Sequence, residues 1–98
     1  MRESNVINLF QLTNKTALVT GGAKGLGTVI NEGLLEAGVS KLIFCGRGRH
    51  GSLESEIDRL KKIFPSRNII GIQCDISDES QVAFMVEEIK STTDQVNI

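Results

Sequence analysis

A chain of 98 residues is one small domain at most, and 40% hydrophobic with 23% charged residues is an ordinary globular composition. Eleven basic against twelve acidic residues leave a net charge of -1, so no global field recruits nucleic acid or an anionic membrane, and a disordered or collagen-like chain does not fit. Aromatics make up only 4%, with no Trp and no Tyr, so aliphatic side chains must build the core.

Residues 1–12 read as an N-terminal extension with a polar start. The apolar stretch Val6 to Leu12 is short and broken by Asn8 and Gln11, which suits neither a secretory leader nor a membrane span. Residues 13–98 read as one α/β unit. Thr16-Ala17-Leu18-Val19-Thr20 is a buried strand ending at Gly21. Leu26, Val29, Ile30, Gly33, Leu34 and Ala37 follow at helical spacing, with Gly38 placed to end the helix. Lys41 to Cys45 is a second strand, closed by the Gly/Arg stretch Gly46 to Gly51. Ser52 is expected to cap a second helix, with Leu53, Ile57, Leu60 and Phe64 on one face and Pro65 as its stop. Asn68 to Cys74 is an Ile-rich third strand. Ser77 or Asp78 starts a third helix bearing Val82, Met85, Val86 and Ile89, and Val96-Asn97-Ile98 reads as the beginning of a fourth strand. Three strand–helix units with continuous apolar strands imply a Rossmann-type parallel sheet with flanking helices.

Cys45 and Cys74 lack C-x-x-C spacing, which suits a reduced, cytoplasmic protein with two buried thiols; a disulfide would require the fold to join them. The lone His50 has no second His or paired Cys beside it, so no metal site is expected.

The chemistry concentrates in Thr20-Gly21-Gly22-Ala23-Lys24-Gly25-Leu26-Gly27, between the first strand and the first helix. Glycines there let the backbone turn tightly and approach a ligand, and the helix start aims free N–H groups at the same spot. This is an anion site fitted to a pyrophosphate. The structural alternative is a tight turn in which Gly27 and Gly33 merely allow close helix–sheet packing. Thr28 stands where a phosphate-binding loop of the nucleotide triphosphatases needs Lys, which disfavours ATP or GTP hydrolysis.

Leu12-x-x-Lys15-x-Ala17-Leu18-Val19-Thr20-Gly21-Gly22-x-Lys24-Gly25-Leu26-Gly27 resembles the opening of the short-chain dehydrogenases/reductases, whose fingerprint is Thr-Gly-x-x-x-Gly-x-Gly. The resemblance runs through Arg47 and Cys74-Asp75-Ile76 to the last residue. Gly33-Leu34-Leu35-Glu36-Ala37-Gly38 is similar to the 3-oxoacyl-carrier-protein reductase branch. The resemblance implies that the backbone around Lys24, Gly25 and Leu26 holds the phosphates of a nicotinamide dinucleotide, with Gly21 and Gly27 shaping the turn and Leu26 toward the nicotinamide. In a dinucleotide fold an acid about twenty residues on takes the ribose 2′-hydroxyl of NAD. Here the zone holds Cys45, Gly46 and Arg47, and the next acid is Glu54. A guanidinium pairs with a 2′-phosphate instead, and the family's NADP-preferring members carry basic residues at the positions of Lys24 and Arg47, so NADP is expected over NAD. The alternative reading is that Arg47 and Arg49 form a solvated basic loop between strand and helix. Asp75 is expected to accept from the adenine amine, with Ile76 beside the ring edge, as in the family; alternatively Asp75 opens a turn.

The family's proton donor is a Tyr, assisted by a Lys four residues later and a Ser. No Tyr is present, and neither Ser52, Ser66 nor Ser91 matches the family's Ser, so no catalytic residue is carried over. The expectation is the NADP-binding portion of an oxidoreductase with its catalytic half absent, leaving an open edge on the first strand that invites association with another chain. A non-catalytic nucleotide-binding or edge-pairing module, or a non-functional product, is the alternative reading.

Overall fold

The computed structural model describes residues 11–98. Three strands, β1 (Thr16–Thr20), β2 (Lys41–Gly46) and β3 (Asn68–Gln73), alternate with three helices, α1 (Leu26–Glu36), α2 (Ser52–Ile63) and α3 (Glu79–Thr92), and a 3₁₀ turn (Arg49–Gly51) precedes α2. The sheet is parallel, in the order β1-β2-β3, with β1 paired to β2 from Thr16↔Lys41 to Thr20↔Cys45 and β2 to β3 from Lys41↔Asn68 to Gly46↔Gln73. This is the Rossmann-type arrangement expected from the strand–helix alternation.

The central strand explains why the chain folds this way. Leu42, Ile43, Phe44 and Cys45 are all fully buried, because both faces of β2 are covered. Alternate residues serve opposite layers. Ala17, Val19, Leu42, Phe44 and Ile69 pack with Leu35 of α1 and with Leu53 and Leu60 of α2. Ile43, Cys45, Ile72 and Cys74 pack with Met85 and Ile89 of α3.

Helix ends follow local chemistry with one exception. Asp78 caps α3, its carboxylate accepting from the N–H groups of Ser80 and Gln81. Gly38, at φ +110°, carries the chain out of α1. Arg67 reaches back to donate to the carbonyls of Leu35 (2.5 Å) and Val39 (3.0 Å), holding that end. Ser52 does not cap α2; Gly51, at φ +70°, holds the cap position and Ser52 is the first helical residue.

Only part of the apolar stripe expected on α1 turns inward: Leu34 packs on the core and Ala37 is half-buried. Leu26, Val29 and Ile30 are exposed, and Gly33 has open space where a Cβ would stand. The inward face is Gly27, Asn31 and Leu35, at helical spacing of four, and Asn31 is completely buried. Gly33 therefore does not serve close packing, whereas Gly27 does.

The edge of β1 opposite β2 is partly covered. Ile98 donates to Thr16 O (3.3 Å) and accepts from Leu18 N–H (2.9 Å), bonds that bracket Ala17 as in a parallel pair. Asn97 adds a side-chain bond, its Oδ1 accepting from Thr16 N–H at 2.9 Å. Leu12, assigned from sequence to the extension, is docked as well: its N–H donates to Ala37 O (2.7 Å) and its side chain packs on the core. Residues 1–10 of that extension lie outside the described residues.

Candidate functional site: a cleft over the carboxyl ends of the strands

Strands β1, β2 and β3 end side by side at Thr20, Gly46 and Gln73, and the loops that leave them enclose a cleft of about 540 Å³. Open α/β sheets bind ligands at this end, and the volume suits a nucleotide-sized molecule. Each loop supplies part of the wall. The turn after β1 supplies Gly21, Ala23 and Lys24; the loop after β2 supplies Arg47, Gly48 and Arg49; the loop after β3 supplies Asp75, Ile76 and Ser77. Ser52 adds the first turn of α2, and Cys45 and Cys74 line the inner end.

Of the residues expected from sequence, Gly21, Lys24, Arg47, Asp75 and Ile76 thus meet at one cleft although they come from three separate loops. Gly25, Leu26 and Gly27 do not line it. They form the junction from the turn into α1, where Gly25 (φ +64°) holds the cap position and Leu26 is 75% exposed.

The turn is tight because the glycines are needed in it. A Cβ on Gly27 would run into the carbonyl oxygen of Gly21 and stand 2.7 Å from Gly22 Cα. A Cβ on Gly22 would lie 2.6 Å from Phe44 Cβ. Gly22 N–H is tied down by Cys45 O at 3.0 Å. Among the described residues, no protein acceptor takes the N–H groups of Ala23, Lys24 or Gly25. Gly25 offers no side-chain cap to α1; Thr28 N–H turns back to Gly25 O at 3.1 Å, while the N–H groups of Leu26 and Gly27 have no acceptor among the described residues. Free backbone donors, an absent Cβ and a nearby Lys are what a phosphate group requires, so the residues present fit one.

Charge is arranged by sign. Lys24, Arg47 and Arg49 border the cleft, and Asp75 is the one carboxylate among its walls. Asp75 also makes the turn that sequence reading offered as its alternative role. Its Oδ1 accepts from Ser77 N–H (3.0 Å) and Ser77 Oγ–H (2.6 Å), and these bonds, helped by the Arg47 charge nearby, hold its carboxyl below the usual range. Its second oxygen has no protein donor among the described residues, so the carboxylate can accept from a ligand while keeping its turn. Gln73 steadies Arg47 by donating to its carbonyl at 3.1 Å.

Cys45 and Cys74 are free and buried, and burial pushes both thiols up. A protonated buried thiol is a packing group rather than a nucleophile. Among the described residues no cluster of His, Cys, Asp and Glu could hold a metal ion, and no helix is long and apolar enough to cross a membrane.

Sequence reading missed Ser52 and Ser77 as cleft residues, and it missed Asn31 and Glu56 beneath the turn. Ser52 could have been found from its place at a helix start just after the basic loop. Asn31 had a weaker signal, a polar residue midway between Gly27 and Leu35 on one helical face.

A family model described as the KR domain matches residues 15–97. The chain is 34% identical over 95 residues to the 2-dehydro-3-deoxy-D-gluconate 5-dehydrogenase of Pseudoalteromonas atlantica, covering 95% of this chain and 35% of that one. Among solved structures, an NADPH-bound short-chain oxidoreductase of Pseudomonas aeruginosa with an atypical catalytic centre is 34% identical, with a TM-score of 0.78 over 85% of this chain and 32% of that one. The RhlG/NADP active-site complex of Pseudomonas aeruginosa is 29% identical, with a TM-score of 0.76 over 89% of this chain and 33% of that one. The chain spans about a third of the length of these relatives.

Proposed function

Because the chain belongs to the short-chain dehydrogenase/reductase family, we propose that residues 13–98 form the nucleotide-binding portion of an oxidoreductase and that their cleft takes NADP(H) in preference to NAD(H). When bound, the cofactor supplies a hydride to a carbonyl substrate or removes one from an alcohol. The residues of this chain bind and orient it. The turn from Gly21 to Gly27 holds the pyrophosphate on its free N–H groups, with Lys24 adding charge. Arg47 pairs with the 2′-phosphate, and Arg49 borders the same end of the cleft. Asp75 accepts from the adenine amine through its free oxygen, with Ile76 against the ring.

The observation that carries this reading is the sign of the charge at the end of β2. Arg47 borders the cleft where an NAD-binding site would need a carboxylate, and Glu56, the one acid buried in α2, is engaged beneath the fold by Arg59 and Asn31. The chain has no Tyr, so the proton donor used in the family is not among its residues.

Titrating the chain with NADPH and NADH tests the assignment. Hydrogen bonds to charged groups are worth about 1.5 to 3 kcal/mol, so NADPH should bind roughly ten- to a hundredfold tighter. Arg47→Asp should remove that preference. A ratio of affinities unchanged by the substitution would sink it.

A further inference from the structure

We propose that Asn31 is a positioning residue for the anion-binding turn, aiming the Ala23 N–H into the cleft. The proposal rests on the reading of that cleft as a dinucleotide site and names a device behind it.

Asn31 sits on the inward face of α1 and is completely buried, a placement costly for an amide unless its groups are partnered. Both of its donor hydrogens are used. Nδ2 donates to Gly22 O at 2.8 Å and to Glu56 Oε2 at 3.1 Å. Its Oδ1 has no partner among the described residues, and the two acceptors facing Nδ2 fix the sense of the amide: reversed, Oδ1 would face a carbonyl and a carboxylate. Glu56 is itself buried and is held from the other side by Arg59, whose Nε and Nη2 donate to it at 2.8 and 3.0 Å. Arg59 also reaches Glu32 at 2.5 Å and the carbonyl of Thr28 at 3.3 Å. Glu56 and Glu32 together hold the guanidinium above its ordinary range, so it stays charged and the chain of bonds stays intact.

The consequence lies in one peptide plane. Among the described residues no peptide is cis, and in a trans peptide the C=O and the following N–H point opposite ways. With Gly22 O drawn inward onto Asn31, the Ala23 N–H is turned away from the buried network, and Ala23 lines the cleft. Its N–H has no protein acceptor among the described residues. Releasing Gly22 O would free this peptide to rotate, and a donor fixed in advance would have to be ordered on binding. A hydrophobic residue at position 31 would fill the space without fixing the plane.

The test uses the full chain and two ligands: NADPH, which carries the pyrophosphate, and adenosine 2′-phosphate, which lacks it. Affinities come from titration and the responding groups from amide NMR. In the wild type, NADPH shifts the Ala23 amide and adenosine 2′-phosphate does not. Asn31→Ala should weaken NADPH about tenfold, the equivalent of about 1.4 kcal/mol, and abolish the Ala23 response while leaving adenosine 2′-phosphate unchanged. Glu56→Gln keeps an acceptor for Asn31 and should keep the Ala23 response. The proposal is overturned if Asn31→Ala binds NADPH like the wild type, or loses both ligands alike. It is also overturned if NADPH shifts the Arg47 and Asp75 amides of the wild type but not that of Ala23, a result that does not depend on any variant folding. A wild-type chain that binds neither ligand overturns the cofactor reading itself, and this proposal with it.

Discussion

Gly27 and Gly33 lie on the same helix six residues apart and carry opposite constraints. At Gly27 a Cβ would meet the backbone of Gly21 and Gly22, which cannot move aside as a side chain can. Overpacking of this kind costs about 1–3 kcal/mol, and here it also opens the turn that holds the free donors. Gly27→Ala should therefore lower the melting temperature and remove NADPH binding together. At Gly33 the same methyl meets open space in a helix interior, so Gly33→Ala should raise stability by about 0.4–1 kcal/mol and leave binding alone. Paired thermal melts and titrations check both, and equal effects at the two positions would contradict the packing described. The sequence offered both glycines as packing residues. Only the direction in which α1 faces the sheet separates them.

At the scale of the elements, α3 depends on a local cap and α1 on distant partners. Asp78 accepts from Ser80 Oγ–H at 2.7 Å and from Ser80 N–H at 2.9 Å, and these bonds together with Gln81 N–H hold its carboxyl below the ordinary range. Because the native value is lowered, the cap's contribution is complete above the unfolded carboxylate value of about 3.9 and fades as pH falls through it to the native value. Thermal melts between pH 7 and 3 should show this loss in the wild type. Asp78→Ala should lie a few degrees lower at pH 7 and lose less on acidification, while Asp78→Asn keeps the cap and shows the weaker pH dependence. The cap was legible because a helix N-terminus is decided within four residues. The burial of Asn31 was not, since its partner Glu56 stands 25 residues away on another helix. The pattern of α2 gave Leu53, Ile57 and Leu60 as its inner face, and the structure places Glu56 there as well.

For the molecule as a whole, the sheet is secured from both sides of β1. β2 pairs along its full length, and Asn97 and Ile98 close part of the opposite side. Asn97→Ala removes the acceptor of the Thr16 N–H, a buried residue, and leaving such a donor unpaired costs about 1–3 kcal/mol. Urea unfolding should show a lower midpoint at an unchanged slope; an unchanged midpoint would mean that this pairing contributes nothing to the folded state. The edge that the sequence left open is thus engaged at Thr16 and Leu18. The site is also a property of the whole. Lys24, Arg47 and Asp75 come from three loops, and only parallel strands ending at the same level bring them to one cleft.

What the sequence by itself determined is whatever short-range chemistry decides. Apolar runs of five or six residues punctuated by glycine and Pro65 specify strands, their alternation with helices specifies a parallel sheet, and the glycine turn, Arg47 and Asp75 announce themselves by position along those strands. What only the tertiary structure decided is which face of each helix turns inward. Leu26, Val29 and Ile30 are as apolar as the residues of a core, yet they are exposed, while Asn31 and Glu56 are buried. The reason is physical: a helix is oriented by the sum of its contacts, and here the close approach of Gly27 to the turn and the packing of Leu34 and Leu35 on the core set which face of α1 turns inward.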